Sequence, residues 1–163
     1  MAVMQIFYDY ECPFCKRGYE YFVKQITDYP DIEIEWRPSE SHPLPEDHPP
    51  HTYLALQCYY IAKELGADMP AFHAAMFQAI AIERQNVEDP EVLCKILNGI
   101  IDTDKLRSAL ASGKYAKQID ENNELADKEG VWFIPAFRME GRKLDAKGGV
   151  GITPEDLQAF LKG

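Results

Sequence analysis

The sequence lacks any apolar run approaching the roughly 18 residues that a membrane-crossing helix needs. Basic charge is also scarce. Lys and Arg total 17 against 27 Asp and Glu, giving a net charge of -10. That balance argues against nucleic acid or an anionic membrane as the main partner, and it keeps the chain soluble without naming another. Residues Met1 to Ile6 show no charged stretch leading into a long apolar one, so no secretory leader is expected. The expectation is a cytoplasmic protein, with a processed secreted chain carrying an added Met1 as the alternative. No internal repeat or low-complexity tract is present. Cysteine is sparse: there are four, at positions 12, 15, 58 and 94, and only the first two are neighbours. In a reducing compartment that pattern points to redox or metal chemistry and excludes a disulfide framework.

What is present suits one domain, or one domain carrying an insertion, because 46% of the 163 residues are apolar and can fill a core. Val3 to Tyr8 is a nearly continuous apolar run, which suits a central strand buried on both faces. Cys15, Tyr19, Phe22, Val23 and Ile26 then recur at spacings of three and four, an amphipathic helix with Pro13 at its first position and an end near Pro30. Ile32, Ile34 and Trp36 alternate with charged residues as a half-exposed strand. Residues 38 to 51 hold five prolines and form a loop. A helical block follows. Its first helix carries Leu54, Cys58, Ile61 and Leu65 and stops at Gly66. Asp68–Pro70 opens the next, with Phe72, Met76 and Ile80 as its stripe. Asp89–Pro90 opens a third, Thr103 caps a fourth, and the last runs from Tyr115 to Gly130. Val131 to Ile134 reads as a return to strand, followed by a hairpin over Ala136–Ala146, a glycine turn at 148–151 and a final helix opened by Thr153.

The chemistry centres on Cys12-Pro13-Phe14-Cys15. A thiol attacks as its thiolate, and a helix N-terminus favours a negative sulfur through unpaired N–H groups and the positive end of its dipole. Cys12 stands there and is expected to be the exposed, low-pKa thiol. Cys15, one turn further in, is expected to be buried and to resolve the mixed disulfide that Cys12 forms. A Cys-x-x-Cys can also be half of a zinc site. His48 and His51, spaced His-x-x-His, would complete a Cys2His2 set. A buried strand before the pair and a helix after it favour redox chemistry. Glu11 and Asp9 flank the site. A buried carboxylate there could take the Cys15 proton, with Glu11 as the candidate relay, while its negative charge would raise the Cys12 pKa and Lys16 and Arg17 would offset it. Cys58 and Cys94 read as inert core thiols, and His73 as packed on its helix. Tyr10, Phe14, Tyr53, Tyr59 and Tyr60 are candidates to line an apolar groove, Phe14 above all.

The string Tyr8-Asp9-Tyr10-Glu11-Cys12-Pro13-Phe14-Cys15 and the segment Gly130-Val131-Trp132-Phe133-Ile134-Pro135-Ala136-Phe137 resemble two motifs of the DsbA-like thioredoxin domain family. That group includes FrnE-like dithiol oxidoreductases and 2-hydroxychromene-2-carboxylate isomerases. The resemblance runs over essentially the whole chain. It implies an α/β thioredoxin fold, β-α-β followed by β-β-α, with an all-helical domain inserted between the second and third main strands. The boundaries would be 1–37 and 131–163 for the thioredoxin-like part and 38–130 for the insertion with its entry loop. It further implies a cis peptide bond before Pro135, which sets the Ile134 backbone beside Cys12 to pair with an extended substrate.

The expected function is thiol-disulfide exchange on protein or peptide thiols, with Cys12 and Cys15 catalytic and Pro13, Phe14, Ile134 and Pro135 at the substrate. No metal and no resident organic cofactor are expected; the redox group is the Cys12–Cys15 pair, with glutathione as a co-substrate. The chain departs from the family pattern in three ways. Phe14 replaces a histidine that could stabilise the thiolate, which implies a milder oxidant suited to isomerase or reductase work. Trp132 and Phe133 stand where a small residue is usual, which would crowd the groove or make it aromatic. The chain is also short for the family. Two alternatives share the fold: a glutathione-using isomerase or transferase, whose branch carries serine in place of Cys12, and a non-enzymatic redox sensor or metal-binding module.

Overall fold

The computed structural model describes all residues 1–163. Four strands form one sheet in the order β2-β1-β3-β4, with β1 at Ala2–Tyr8, β2 at Ile32–Pro38, β3 at Ala136–Met139 and β4 at Arg142–Asp145. β1 runs parallel to β2, with Met4 opposite Ile34 and Ile6 opposite Trp36. It runs antiparallel to β3, which pairs antiparallel with β4 through the Glu140–Gly141 turn. Two neighbours in the sheet make β1 the central strand its sequence promised. Burial on both faces holds only from Ile6 onward, however, because Val3 is exposed and Gln5 half-buried. The Phe7 face is covered at its carboxyl end by Ala126 and Ala136, while nothing comparable lies over Val3.

α1, Pro13–Gln25, and α7, Pro154–Lys162, cover the opposite face. There Met4, Ile6, Phe22, Phe137, Leu157, Phe160 and Leu161 form one core cluster. Val23, expected on the buried stripe of α1, lies outside it and is exposed. α7 begins with a reciprocal cap: Asp156 N–H donates to Thr153 Oγ1 at 3.0 Å and Thr153 N–H to Asp156 Oδ2 at 3.2 Å.

Between β2 and β3 in sequence lie α2 at Tyr53–Glu64, α3 at Met69–Phe77, α4 at Pro90–Ile96, α5 at Thr103–Ser112 and α6 at Ala116–Lys128. None of them is long and apolar enough to cross a membrane. α3 passes directly into a π-helical turn at Gln78–Ile82. Asp68 and Asp89 cap α3 and α4 as their patterns indicate. α5 is capped by Asp102, not Thr103: its carboxylate accepts from the N–H groups of Asp104 and Lys105, which puts Thr103 inside the helix. Leu65 is exposed at the end of α2, where the chain turns through Gly66 at φ +68°. The core of this block includes Leu56, Phe72, Met76, Ile80, Leu93 and Leu106, and it continues without a break into Tyr8, Tyr10 and Cys15. The helical block is thus packed directly against the carboxyl end of β1 and the start of α1.

Residues 131–134 are not a strand. They form an irregular segment that ends in a cis Ile134–Pro135 bond. Their apolar composition serves a cleft in place of a sheet: Trp132 is 89% exposed and Phe133 55% exposed.

Candidate active site at the start of α1

β1 delivers the chain to the helix mouth, and Cys12 is the N-cap of α1, with φ -94° and ψ 115°. Pro13 takes the first helical position, where a missing N–H costs nothing. The extended backbone at Cys12 turns its sulfur toward the first turn, and Cys15 N–H donates to Cys12 Sγ at 3.4 Å. Cys12 is half-buried, Cys15 is buried, and both are free thiols.

The two thiols are driven apart electrostatically. Cys12 lies below its ordinary pKa: the Cys15 thiol hydrogen-bonds to it, and the Cys15 and Phe14 N–H groups add to the effect against opposing burial and the charge of Asp9. Cys15 is pushed well up, mainly by burial, then by its bond to Cys12 and the Cys12 charge. Cys58 and Cys94 have no part in this. Both are buried and pushed upward by loss of solvent, with thiols directed at the Leu54 and Thr103 carbonyls.

Ile134 presents its carbonyl to Cys12 Sγ at 3.7 Å, just before the cis bond to Pro135. Pro135 rests on α1 at Gly18, where an added Cβ would fall 2.8 Å from the proline Cγ. The glycine turn has a similar role. Gly151, at φ +82°, lets Phe14 pack where a Cβ would meet its ring at 3.0 Å, and a Cβ on Gly148 would meet Phe133 at 3.1 Å. Arg17 lies over the Phe14 ring at 5.0 Å.

Both acidic neighbours are buried, and they are used differently. Asp9 accepts from Ser41 N–H and Thr52 Oγ1, each at 3.0 Å, and its Oδ2 also lies 3.0 Å from Ser41 Oγ, whose single proton it shares with Glu11. Burial still outweighs these donors and raises its pKa to about 6. Glu11 faces the loop instead. Ser41 Oγ donates to Oε1 at 2.7 Å, and Arg84 reaches Oε2 at 3.3 Å and the Glu11 carbonyl at 2.8 Å. His42 and His48 also point at this carboxylate.

A cleft of about 500 Å³ collects these groups, lined by Glu11, Cys12, Pro13, Phe14, His42, His48, Arg84, Trp132, Phe133 and Ile134. It thus unites Cys12 with the Phe14 and Ile134 expected at the substrate, while Cys15 and Pro135 lie behind it against a small apolar gap. Tyr10 and Tyr59 are buried in the interior, and Tyr53 and Tyr60 are tied to α6 through Ala116, Asp120 and Asn122. Of the five aromatics considered for a groove, only Phe14 lines this cleft. The Cys2His2 set does not assemble. His51 turns to Glu46 and Glu88, and the group whose ligand atoms converge is Glu11, His42 and His48. Ser41, His42 and Arg84 were not singled out by sequence. Membership of the Pro-rich loop was a signal for the first two, and Arg84 left none.

A family model described as the DSBA-like thioredoxin domain matches residues 3–161. The uncharacterized protein YwbO of Bacillus subtilis is 26% identical, the match covering 69% of this chain and 73% of that one. The Na(+)/H(+) antiporter NhaA 3 of Salinispora tropica is 26% identical over 83% of this chain, which corresponds to only 19% of the antiporter. A probable DsbA oxidoreductase from Streptomyces coelicolor superposes with a TM-score of 0.81 at 19% identity, covering 99% of this chain and 89% of that one. Pseudomonas aeruginosa DsbA gives a TM-score of 0.79 at 21% identity, covering 99% and 80%. The fold is therefore the thioredoxin fold with a helical insertion seen in DsbA oxidoreductases. By its sequence as well as its fold, this chain belongs to the DsbA-like thioredoxin domain family.

Proposed function

We propose that the protein exchanges disulfides with protein or peptide thiols through Cys12 and Cys15, in a cytoplasmic setting where glutathione is available as co-substrate. The carrying observation is the opposed pair of thiols at the helix mouth, one lowered and facing the cleft, the other raised and buried behind it.

In the reducing direction the Cys12 thiolate attacks one sulfur of a substrate disulfide. The substrate S–S bond breaks, one substrate thiolate leaves and takes a proton, and a mixed disulfide forms. Cys15 then loses its proton and attacks Cys12 Sγ, which releases the second substrate thiol. The substrate gains two electrons and the cysteine pair becomes a disulfide. A dithiol or glutathione restores the pair, and the same steps in reverse oxidise a substrate. Cys15 needs a proton acceptor, and Asp9 suits the task better than Glu11. Its charge acts on both thiols, and a carboxylate with a pKa of about 6 holds a proton more readily than an ordinary one. Phe14, Trp132, Phe133 and the Ile134 carbonyl supply an apolar rim and a backbone acceptor for an extended peptide. With phenylalanine at position 14, the pair is a mild oxidant, suited to reduction or isomerisation.

Insulin disulfide reduction driven by glutathione tests this reading. Turnover should fall to background in Cys12→Ser, while Cys15→Ser should accumulate the mixed disulfide. Turnover that survives Cys12→Ser would sink the proposal. Activity on a small electrophile that survives Cys15→Ser would favour a glutathione-dependent isomerase.

A further inference from the structure

We propose that Glu11, His42 and His48 form a site for one divalent ion of the zinc class at the mouth of the dithiol cleft, built without a cysteine ligand. The three residues offer one ligand atom each, all within 4.8 Å of one another. His42 Nε2 stands 3.5 Å from Glu11 Oε1, and His48 Nδ1 stands 3.7 Å from Glu11 Oε2. These are long for direct hydrogen bonds. Each histidine approaches a different oxygen of the carboxylate, at a separation near the roughly 3.4 Å between neighbouring ligand atoms when bonds are about 2.0–2.1 Å, so small side-chain shifts would close the set on one ion.

The arrangement is built beyond these three atoms. Glu11 is 5% exposed, so its carboxylate has little water to turn to. His42 Nδ1 bonds Glu46 Oε1 at 2.8 Å. A carboxylate can only accept, so in the neutral ring the proton sits on Nδ1 and the Nε2 lone pair faces Glu11. Either a proton or a metal ion can stand between these two acceptors, and a carboxylate on the far ring nitrogen is the usual outer partner of a metal-bound histidine. The His42 and His48 rings are stacked, with centroids 3.7 Å apart and planes 20° from parallel, so one ring must turn out of the stack to bring both in-plane lone pairs onto one ion. Two imidazoles and one carboxylate suit zinc and its neighbours better than magnesium or calcium.

Two neighbours act on the same carboxylate. Ser41 Oγ donates to Oε1, and Arg84 stands 3.3 Å from Oε2. The arginine charge opposes an incoming cation, so affinity is held down and Arg84 sets it. A three-ligand site keeps a fourth position open, and these ligands line the cleft that Cys12 lines. A bound ion therefore shares the cleft with the substrate. Ion binding does not depend on disulfide exchange, and the two can fail separately.

The experiment titrates Zn²⁺ under chelator competition into tag-free reduced protein and into the Cys12→Ser/Cys15→Ser double variant. Both should bind one ion per chain, with affinities within about tenfold of each other. Outer-shell losses cost about 10–100-fold, so Glu46→Gln should weaken binding by about tenfold and His42→Ala or His48→Ala by more than about 100-fold. Arg84→Gln should tighten it. Zn²⁺ should raise the melting temperature of the double serine variant and leave that of its His42→Ala derivative unmoved. Both histidines are partly exposed, at 32% and 49% of their side chains, so their removal should leave the fold intact, and far-UV circular dichroism checks this. Binding that vanishes with the two cysteines yet survives His42→Ala would assign the ion to the dithiol and overturn the site. So would the absence of stoichiometric binding to the double serine variant.

Discussion

The two flanks of the cysteine pair are built from opposite materials. On the loop side, Asp9 and Glu11 meet Ser41, Thr52, His42, His48 and Arg84, so nearly every group there is a donor, an acceptor or a charge. On the interior side, Tyr8, Tyr19, Trp36 and Tyr59 surround His73 with ring centroids 4.9–6.2 Å away, and the one polar thread is a chain from Tyr8 Oη to Tyr10 Oη to His73 Nδ1. One buried group from each flank carries the comparison, Asp9 beside the buried Glu11 on the loop side and His73 on the interior side. Burial raises Asp9 to about 6 and lowers His73 to about 4. The shifts are opposite on the pH scale and identical in cause, since each group is pressed toward its neutral form. The difference explains how one helix start can favour the thiolate at one sulfur and the thiol at its neighbour: Cys12 faces the polar cleft, whereas Cys15 borders the aromatic interior.

If the aromatic flank is truly dry, His73 gives the larger effect. The unfolded chain accepts a proton near pH 6.5, whereas folded His73 refuses it until about pH 4. Its contribution is therefore fully present above pH 6.5 and is lost as the pH falls toward 4. A shift of this size corresponds to a loss on the order of 3 kcal/mol. His73→Phe should remove this slope. Urea unfolding midpoints of the oxidised protein from pH 7 down to pH 4 measure it. An unchanged slope in the variant would mean that water reaches the ring.

Asp9 should act in the reverse sense by a slightly smaller amount. Its folded pKa of about 6 lies above the ordinary 3.8. Stability from this group is present below pH 3.8 and is lost as the pH rises through 6, by on the order of 2–3 kcal/mol. In Asp9→Asn the pH slope should turn more positive than in wild type, just as His73→Phe turns it more negative. The asparagine also leaves donors from Ser41 and Thr52 without a full acceptor, which lowers stability at every pH and does not alter the slope. If the two variants changed the slope in the same direction, the contrast between the flanks would fail.

The interior flank was largely legible in the sequence and the polar flank was not. Phe72, Met76 and Ile80 announce their buried face by spacing, and Cys12-Pro13 announces a helix start by the fit of proline to a first turn. Periodicity reports which side faces a core. It says nothing of where a loop folds back, so His42 went unnoticed while His48 and His51 drew attention through their spacing. Arg84 is harder still. It follows the π-helical turn at Gln78–Ile82 and takes φ +53°, a conformation in which its guanidinium reaches Glu11 and the Pro49 carbonyl. No local preference of those residues signals either feature. Val131 to Ile134 misread as strand for a related reason: an apolar run marks burial or binding alike, and here Trp132 and Phe133 serve the cleft.

The smallest expected effect tests where the flanks join. Gly18 sits in α1 against Pro135, and Ile152 lies behind it at 3.6 Å from an added Cβ. Two terms oppose each other in Gly18→Ala. Alanine favours a helix over glycine by about 0.8–1 kcal/mol. The new methyl would meet the proline Cγ at 2.8 Å, and a ring closed on its own backbone cannot swing aside as a flexible chain would. Overpacking of this kind typically costs about 1–3 kcal/mol, so the balance is a net loss of about 1 kcal/mol. Relief must come from Pro135 moving off α1, which carries Ile134 and its carbonyl with it. The variant should therefore lose more in kcat/KM for peptide disulfides than in stability, with the intrinsic rate of Cys12 alkylation by a small reagent little changed. A variant that gained stability and kept full kcat/KM would show that the contact between α1 and Pro135 is loose, and that the aromatic interior does not position the substrate side of the cleft.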